Sequence, residues 1–149
     1  MQLVIREFRE SDIEPISIIE AESFSMPWSA EDFAGLLKRD YCLYLTAEAD
    51  GEAVGCIGMT ILCGEGNIDN VVVAEKFRGR GIGGKLLQEL FKQGEERGVE
   101  AYTLEVRVSN HAAIHIYEKA GFVSEGIRPG FYERPREDAL IMWKRLRMS

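Results

Sequence analysis

A glutamate, an asparagine and a tyrosine stand at positions 105, 110 and 117, a short way downstream of the stretch FRGRGIGGKLL at Phe77 to Leu87. The side chains offer a base, a hydrogen-bonding amide and a phenolic acid. The stretch offers an anion cradle, because Gly79, Gly81, Gly83 and Gly84 fall within six positions between Arg78, Arg80 and Lys85. Glycine lets backbone approach a ligand closely, and N–H groups at a helix start attract negative charge. Three phosphate-binding readings overlap here: a dinucleotide fingerprint (Gly79-x-Gly81-x-x-Gly84), a triphosphate P-loop one residue short, and an acyl-CoA loop (Arg78-x-x-Gly81-x-Gly83). A dinucleotide loop directly follows the first strand of a βαβ unit, but here AEKFR separates Val73 from Gly79. A P-loop needs Ser or Thr after its lysine to hold magnesium, and Leu86 stands there.

Those residues need elements to position them. Leu3 to Arg6 reads as a short strand. Ser11 and Glu14 form a capping-box pattern that predicts a helix through about Phe24, and Ser29 with Asp32 predicts a second helix to about Lys38. YCLYLTAEA and AVGCIGMTIL read as strands around the hairpin signal Asp50-Gly51. NIDNVVV reads as the next strand, ending near Val73. Leu86, Leu87, Leu90 and Phe91 give one buried face to a helix from Gly81 to about Arg97. AYTLEVRV alternates, with Leu104, Val106 and Val108 on one face and Thr103, Glu105 and Arg107 on the other. Ser109-Asn110 predicts a cap for a helix to about Lys119, stopped by Gly121. FVSEG and DALIMWKRL close the chain as strands. The order β-α-α-β-β-β-α-β-α-β-β implies an α+β fold, a mixed sheet carrying helices, in one domain over residues 1–149.

Composition narrows the function. The chain has 149 residues, 46% hydrophobic, enough for one core. Asp and Glu number 25 against 18 Lys and Arg, a formal charge of -7, which argues against a nucleic-acid backbone as partner and favours a basic one. Cys42, Cys56 and Cys63 form no C-x-x-C pair and read as buried thiols of a reducing compartment. MQLVIREF does not have the form of a signal peptide, and no apolar run is long enough to span a membrane. A cytoplasmic location is expected, with a monomer the favoured state. His111 and His115 stand four apart, but no third ligand accompanies them, so no metal is expected.

The motifs together resemble the GNAT (Gcn5-related N-acetyltransferase) superfamily over nearly the whole chain. NVVV, then Arg78-x-x-Gly81-x-Gly83, then a helix is similar to that family's pyrophosphate loop, and LEVRVSNHAAIHIYEKAGF is similar to its pantetheine-holding segment. Within the superfamily, MPWS at Met26 to Ser29, LEVRVSN at Leu104 to Asn110 and FYERPREDALIM at Phe131 to Met142 resemble the RimI type, bacterial enzymes that acetylate the N-terminal alanine of a small-subunit ribosomal protein. His111 and His115 depart from the small or apolar residues common there. The resemblance implies a splayed central sheet into which acetyl-CoA inserts. Its implied cofactor contacts are Val71, Val72, Val73, Arg78, Gly79, Arg80, Gly81, Ile82, Gly83, Gly84, Asn110 and Tyr117.

Acetyl transfer requires a neutral amine, a polarised carbonyl and a protonated leaving thiolate. An α-amino group, with a pKa of roughly 8, needs a weaker base than a lysine at roughly 10.4. Glu105 is the candidate base, directly or through water; the plain alternative is a surface carboxylate paired with Arg107. Asn110 and Tyr117 are nearly two turns apart on one helix face, roughly 10 Å. Asn110 would bond the pantetheine amide. Tyr117, pKa roughly 10 against roughly 8.5 for a thiol, would protonate the leaving sulfur; its alternative is a packed core tyrosine. A Val71 to Val73 backbone N–H would polarise the thioester. Tyr132 would close over the first residue of the acceptor, or else be an exposed loop aromatic, and Trp28 would anchor packing. Rival functions are a GNAT enzyme acting on lysine or a small amine, and a non-catalytic CoA-binding sensor.

Overall fold

Two hairpins with the same turn chemistry organise the first half of the sheet. Asp50 and Gly51 have φ of 51° and 86°, and Cys63 and Gly64 have φ of 52° and 78°. Both are two-residue loops with left-handed backbone at each central position, the form that matches strand twist. The first was expected from Asp-Gly. The second was not, since cysteine is an uncommon turn residue; this turn leaves Cys63 exposed and Cys42 is half-buried, so of the three thiols expected inside only Cys56 is buried.

The computed structural model describes residues 1–146; the end of the expected domain, residues 147–149, lies outside them. The strands are β1 (Leu3–Glu7), β2 (Cys42–Ala49), β3 (Glu52–Leu62), β4 (Glu65–Val73), β5 (Ala101–Arg107), β6 (Val123–Glu133) and β7 (Arg136–Arg145). The helices are α1 (Ile13–Ser23), α2 (Ala30–Leu36), α3 (Ile82–Glu96) and α4 (His111–Lys119). They follow the expected order. The strands form one sheet in the order β1-β2-β3-β4-β5-β7-β6. Only β4 and β5 pair in parallel.

The two faces of the sheet carry different helices. Leu86, Leu87 and Leu90 of α3 and Tyr117 of α4 pack with Leu45, Ile57, Met59 and Leu104 in one cluster. Ile16 of α1 and Phe33 of α2 pack with Phe8, Tyr44, Cys56 and Val72 in the other. Each fully buried leucine or phenylalanine contributes about 1.5–3 kcal/mol, so the clusters fix which way the central strands β2 to β5 face. Gly58 is required by one such contact, because a Cβ there would lie 2.1 Å from the Tyr44 ring.

The two helix starts differ in outcome. Ser29 and Asp32 form the expected capping box, with the Asp32 N–H on the Ser29 hydroxyl at 3.2 Å and the Ser29 N–H on the Asp32 carboxylate at 2.8 Å. The Ser11–Glu14 box does not form. A 3-10 turn at Glu10–Asp12 precedes α1 instead. Asp12 is buried and accepts from Arg6 at 2.7 and 2.8 Å, Thr46 at 2.9 Å and the Arg9 N–H at 3.0 Å. Contacts from two strands therefore outweigh the local pattern.

Candidate active site

The glycine loop joins β4 to α3. Gly79 and Gly81 both have φ of 78°, a backbone that L side chains rarely adopt. Gly81 caps α3, whose first turn holds no acidic residue. The first N–H groups of a helix, here at Ile82, Gly83 and Gly84, have no partner within it, and the dipole adds positive potential. A Cβ at Gly79, Gly81 or Gly84 would meet nothing within 4 Å, and one at Gly83 only the tip of Ile116. The glycines leave space for something outside the fold. Arg78 braces the loop: its Nε donates to the Val73 carbonyl at 3.0 Å and a terminal nitrogen donates to the Ser23 hydroxyl at 3.0 Å. Arg80 lies over the Phe77 ring at 5.3 Å.

Beside this loop the sheet opens. β4 and β5 pair only from Glu65↔Ala101 to Asn67↔Thr103, and then diverge. Alternate residues of an antiparallel strand turn their N–H and C=O to opposite sides. The Ala74 N–H donates to Val54 of β3, so Val72 also turns to β3 while Val71 and Val73 turn to the gap. Their N–H groups lie along the edge of β4 that β5 leaves uncovered.

The side chains gather around the same gap. Glu105 lies on β5 opposite the buried Leu104 and Val106. It is not paired with Arg107; its ion-pair contact is Arg128 of β6, at 3.9 Å. Arg107 bonds Glu137 at 3.3 Å and the carbonyls of Pro135 at 2.8 Å and Arg134 at 3.1 Å. Its guanidinium also covers the Tyr132 ring at 4.3 Å. Tyr132 sits on strand β6, half-buried, not in the loop position weighed for it. Burial, with Glu105 adding, pushes its phenol up to about 12. Tyr117 is 8% exposed on the inner face of α4. Burial, with Tyr132 adding, pushes its phenol up to about 12 as well. A phenol so placed stays protonated and can donate. Asn110 caps α4 through Oδ1, which accepts the Ala113 N–H at 3.2 Å and leaves the amide nitrogen to donate elsewhere. His111 and His115 lie exposed on α4.

Residues 5–122 match the family described as Acetyltransferase (GNAT) family. A Bacillus subtilis relative, provisionally named a ribosomal protein bS18-alanine N-acetyltransferase, is 38% identical over 93% of each chain. A Salmonella typhimurium enzyme, named ribosomal protein bS18-alanine N-acetyltransferase, is 37% identical over 83% of this chain and 84% of its own. The crystal structure of the ribosomal-protein-S18-alanine N-acetyltransferase from Escherichia coli superposes with a TM-score of 0.90 at 31% identity, covering 99% of this chain and 96% of its own. The chain belongs to the GNAT acetyltransferase family. It is an N-acetyltransferase, and acetyl-CoA is its acetyl donor.

In this GNAT acetyltransferase a residue that no motif singled out, Glu20 of α1, ties the elements beside the gap together. The Glu20 carboxylate, 3% exposed, accepts the Trp28 N–H at 3.1 Å and the Asn70 amide at 3.0 Å. It ties the segment after α1 to β4. Burial holds Glu20 above its ordinary value, and the two hydrogen bonds oppose that. Trp28 packs on Phe33 and Tyr44 at 5.4 and 6.0 Å, as an anchor should. Ser25 donates to the Arg134 carbonyl, so the segment after α1 meets the β6–β7 hairpin. An acid inside an apolar helix pattern, as at Glu20, was the available signal. Among the described residues no cluster of three metal-ligating side chains occurs, and no helix is long and apolar enough to cross a membrane.

Proposed function

We propose that this enzyme acetylates the α-amino group of a protein N-terminus, most favourably alanine on a basic small-subunit ribosomal protein in the cytoplasm. The observation that carries this reading is the contact of Ser25 with the Arg134 carbonyl, which brings the segment after α1 to the β6–β7 hairpin whose Tyr132 stands within reach of the Glu105 charge. An N-terminal amine sits on the main chain and needs little depth. A lysine amine needs a channel as long as its four-carbon stem. The relatives named for bS18 alanine acetylation support the same acceptor.

In this mechanism the N–H groups of Ile82, Gly83 and Gly84 receive the pyrophosphate, and the Asn110 amide nitrogen bonds the pantetheine arm. Val71 and Val73 N–H groups polarise the thioester carbonyl. Glu105 accepts a proton from the acceptor amine, directly or through one water. The freed lone pair bonds the carbonyl carbon, the carbon–sulfur bond breaks, and the sulfur takes the Tyr117 proton. The amide nitrogen then gives its surplus proton to the Tyr117 phenolate and Glu105 releases its own to solvent, leaving the N-acetylated chain and free thiol.

The test offers acetyl-CoA with a basic peptide beginning with alanine, its pre-acetylated form, and a matched peptide whose only amine is a lysine. Product on the first alone is expected. A lysine peptide with the higher kcat/KM overturns the acceptor assignment and leaves acetyl transfer standing.

A further inference from the structure

Asp69 occupies a β-bulge at the point where β4 leaves β5. The register runs Gly58↔Asn70 and then Met59↔Ile68, so Asp69 has no partner on β3. A bulge re-aims side chains. Here Ile68 packs with the α3 cluster, while Asn70 bonds Glu20 of α1 on the other face. Asp69 is exposed at that switch, and its Oδ2 accepts the Thr60 hydroxyl at 2.7 Å.

Two buried polar atoms flank this carboxylate. Tyr44 is 4% exposed, and its hydroxyl points at Asp69 but stops short of a hydrogen bond, leaving it unpartnered. Asn70 is 7% exposed, and its Oδ1 is also unpartnered. Buried polar groups without partners are costly and uncommon. Across the gap stands Glu105, close enough for its charge to act on Asp69. Among the described residues Asp69 makes no ion pair, and the only one at Glu105 is with the exposed Arg128 at 3.9 Å. Two carboxylates thus face one opening; the Arg39 charge reaches Asp69 and Arg128 reaches Glu105, but among the described residues no cation forms an ion pair with Asp69.

We propose that Asp69 receives the protonated acceptor amine, holding the α-ammonium group beside Glu105 until its proton leaves. The inference rests on the reading of the acceptor as a chain N-terminus. Such an amine, with a pKa of roughly 8, arrives mostly as an ammonium at neutral pH and brings three N–H donors. Thr60 fixes one oxygen of Asp69 and leaves the other for an N–H. Desolvation, with the Glu105 charge adding, holds the Asp69 carboxyl above its ordinary range, and an arriving cation relieves that. Asp69 is therefore a binding residue for the charged form, and Glu105 the base that discharges it.

The experiment is calorimetry on the full chain with CoA present, using two peptides of one sequence. One begins with alanine; the other begins with a propionyl group and lacks only the amine. Wild-type protein is expected to prefer the amine by about tenfold or more. Asp69→Asn, which keeps the volume and the Thr60 bond, is expected to bind both peptides alike, with thermal unfolding unchanged. Thr60→Val, which frees the carboxylate without removing it, keeps part of the preference. An undiminished preference in Asp69→Asn overturns the inference, as does the absence of any preference in wild type. If the preference is present but the alanine peptide is never acetylated, the acceptor reading falls and the role of Asp69 stands.

Discussion

The Arg107 guanidinium lies 4.3 Å over the Tyr132 ring while its nitrogens hold the Pro135 and Arg134 carbonyls. One side chain of β5 therefore sets the position of the β6–β7 hairpin. A guanidinium–aromatic contact of this kind contributes on the order of 0.5–2 kcal/mol. Tyr132→Ala removes the ring and is expected to raise the acceptor KM about tenfold, with the acetyl-CoA KM unchanged. Steady-state kinetics with each substrate varied in turn checks this. Equal changes in both constants would remove Tyr132 from the acceptor side.

The glycine loop gives a second prediction with a built-in control. A Cβ at Gly83 meets only the tip of Ile116 at 3.9 Å, so Gly83→Val is tolerated by the fold itself. Its side chain instead fills the space above the free N–H groups. Acetyl-CoA binding is expected to weaken more than about tenfold, ~1.4 kcal/mol, with melting temperature held. Gly81→Val faces the same ligand but also forces a side chain at φ 78°, so it is expected to lose stability as well. Calorimetry and thermal unfolding on both variants separate the two effects.

The difference between legible and illegible parts of this chain follows the range of the contacts involved. The α2 start was readable because Ser29 and Asp32 satisfy each other three residues apart. The α1 start was not, because Asp12 is committed to Arg6 and to Thr46, 34 residues away. Glu105 and Tyr117 were readable as an ordered pair after the glycine loop. Asp69 was not, since a bulge exists only in the register between β3 and β4. The pairing of Arg107 with Glu137 rather than Glu105 likewise depends on β7, which lies beside β5 only in the folded sheet.

Asp12 offers a test of stability separate from function. Burial alone would raise its carboxyl, but Arg6, the Arg9 N–H and Thr46 together hold it below its ordinary value near 3.8. A depressed folded-state pKa stabilises the fold above the ordinary value, and that contribution is lost as pH falls through the folded one. Wild-type stability should therefore decline below about pH 4. Asp12→Asn replaces the charged partner of Arg6, which keeps Glu48 at 3.1 Å, and is expected to cost about 1.5–3 kcal/mol near neutral pH. The cost should shrink on acidification. Denaturant unfolding at a series of pH values checks both the size and the slope, and a cost that stays constant into acid contradicts the ion-pair account.

In the proposed mechanism Glu105 and Tyr117 divide the proton work, and their variants should fail differently with pH. Tyr117→Phe keeps the ring in its pocket and removes only the proton. Its kcat is expected to fall on the order of 10² to 10⁴, with acetyl-CoA affinity little changed. Because burial holds the Tyr117 phenol at about 12, only about 1% of it is ionised at pH 10, so the wild-type kcat should show no basic limb below that pH. Glu105→Gln should fall by a similar factor, and with acceptor saturating it should lose the acidic limb that the wild type displays. The remaining activity of Glu105→Gln should rise with pH as solvent takes over the deprotonation of the amine. A pH–rate series on the three proteins checks the assignment. Full activity of either variant at neutral pH removes that residue from its role, and an acidic limb that persists in Glu105→Gln assigns the base to another group.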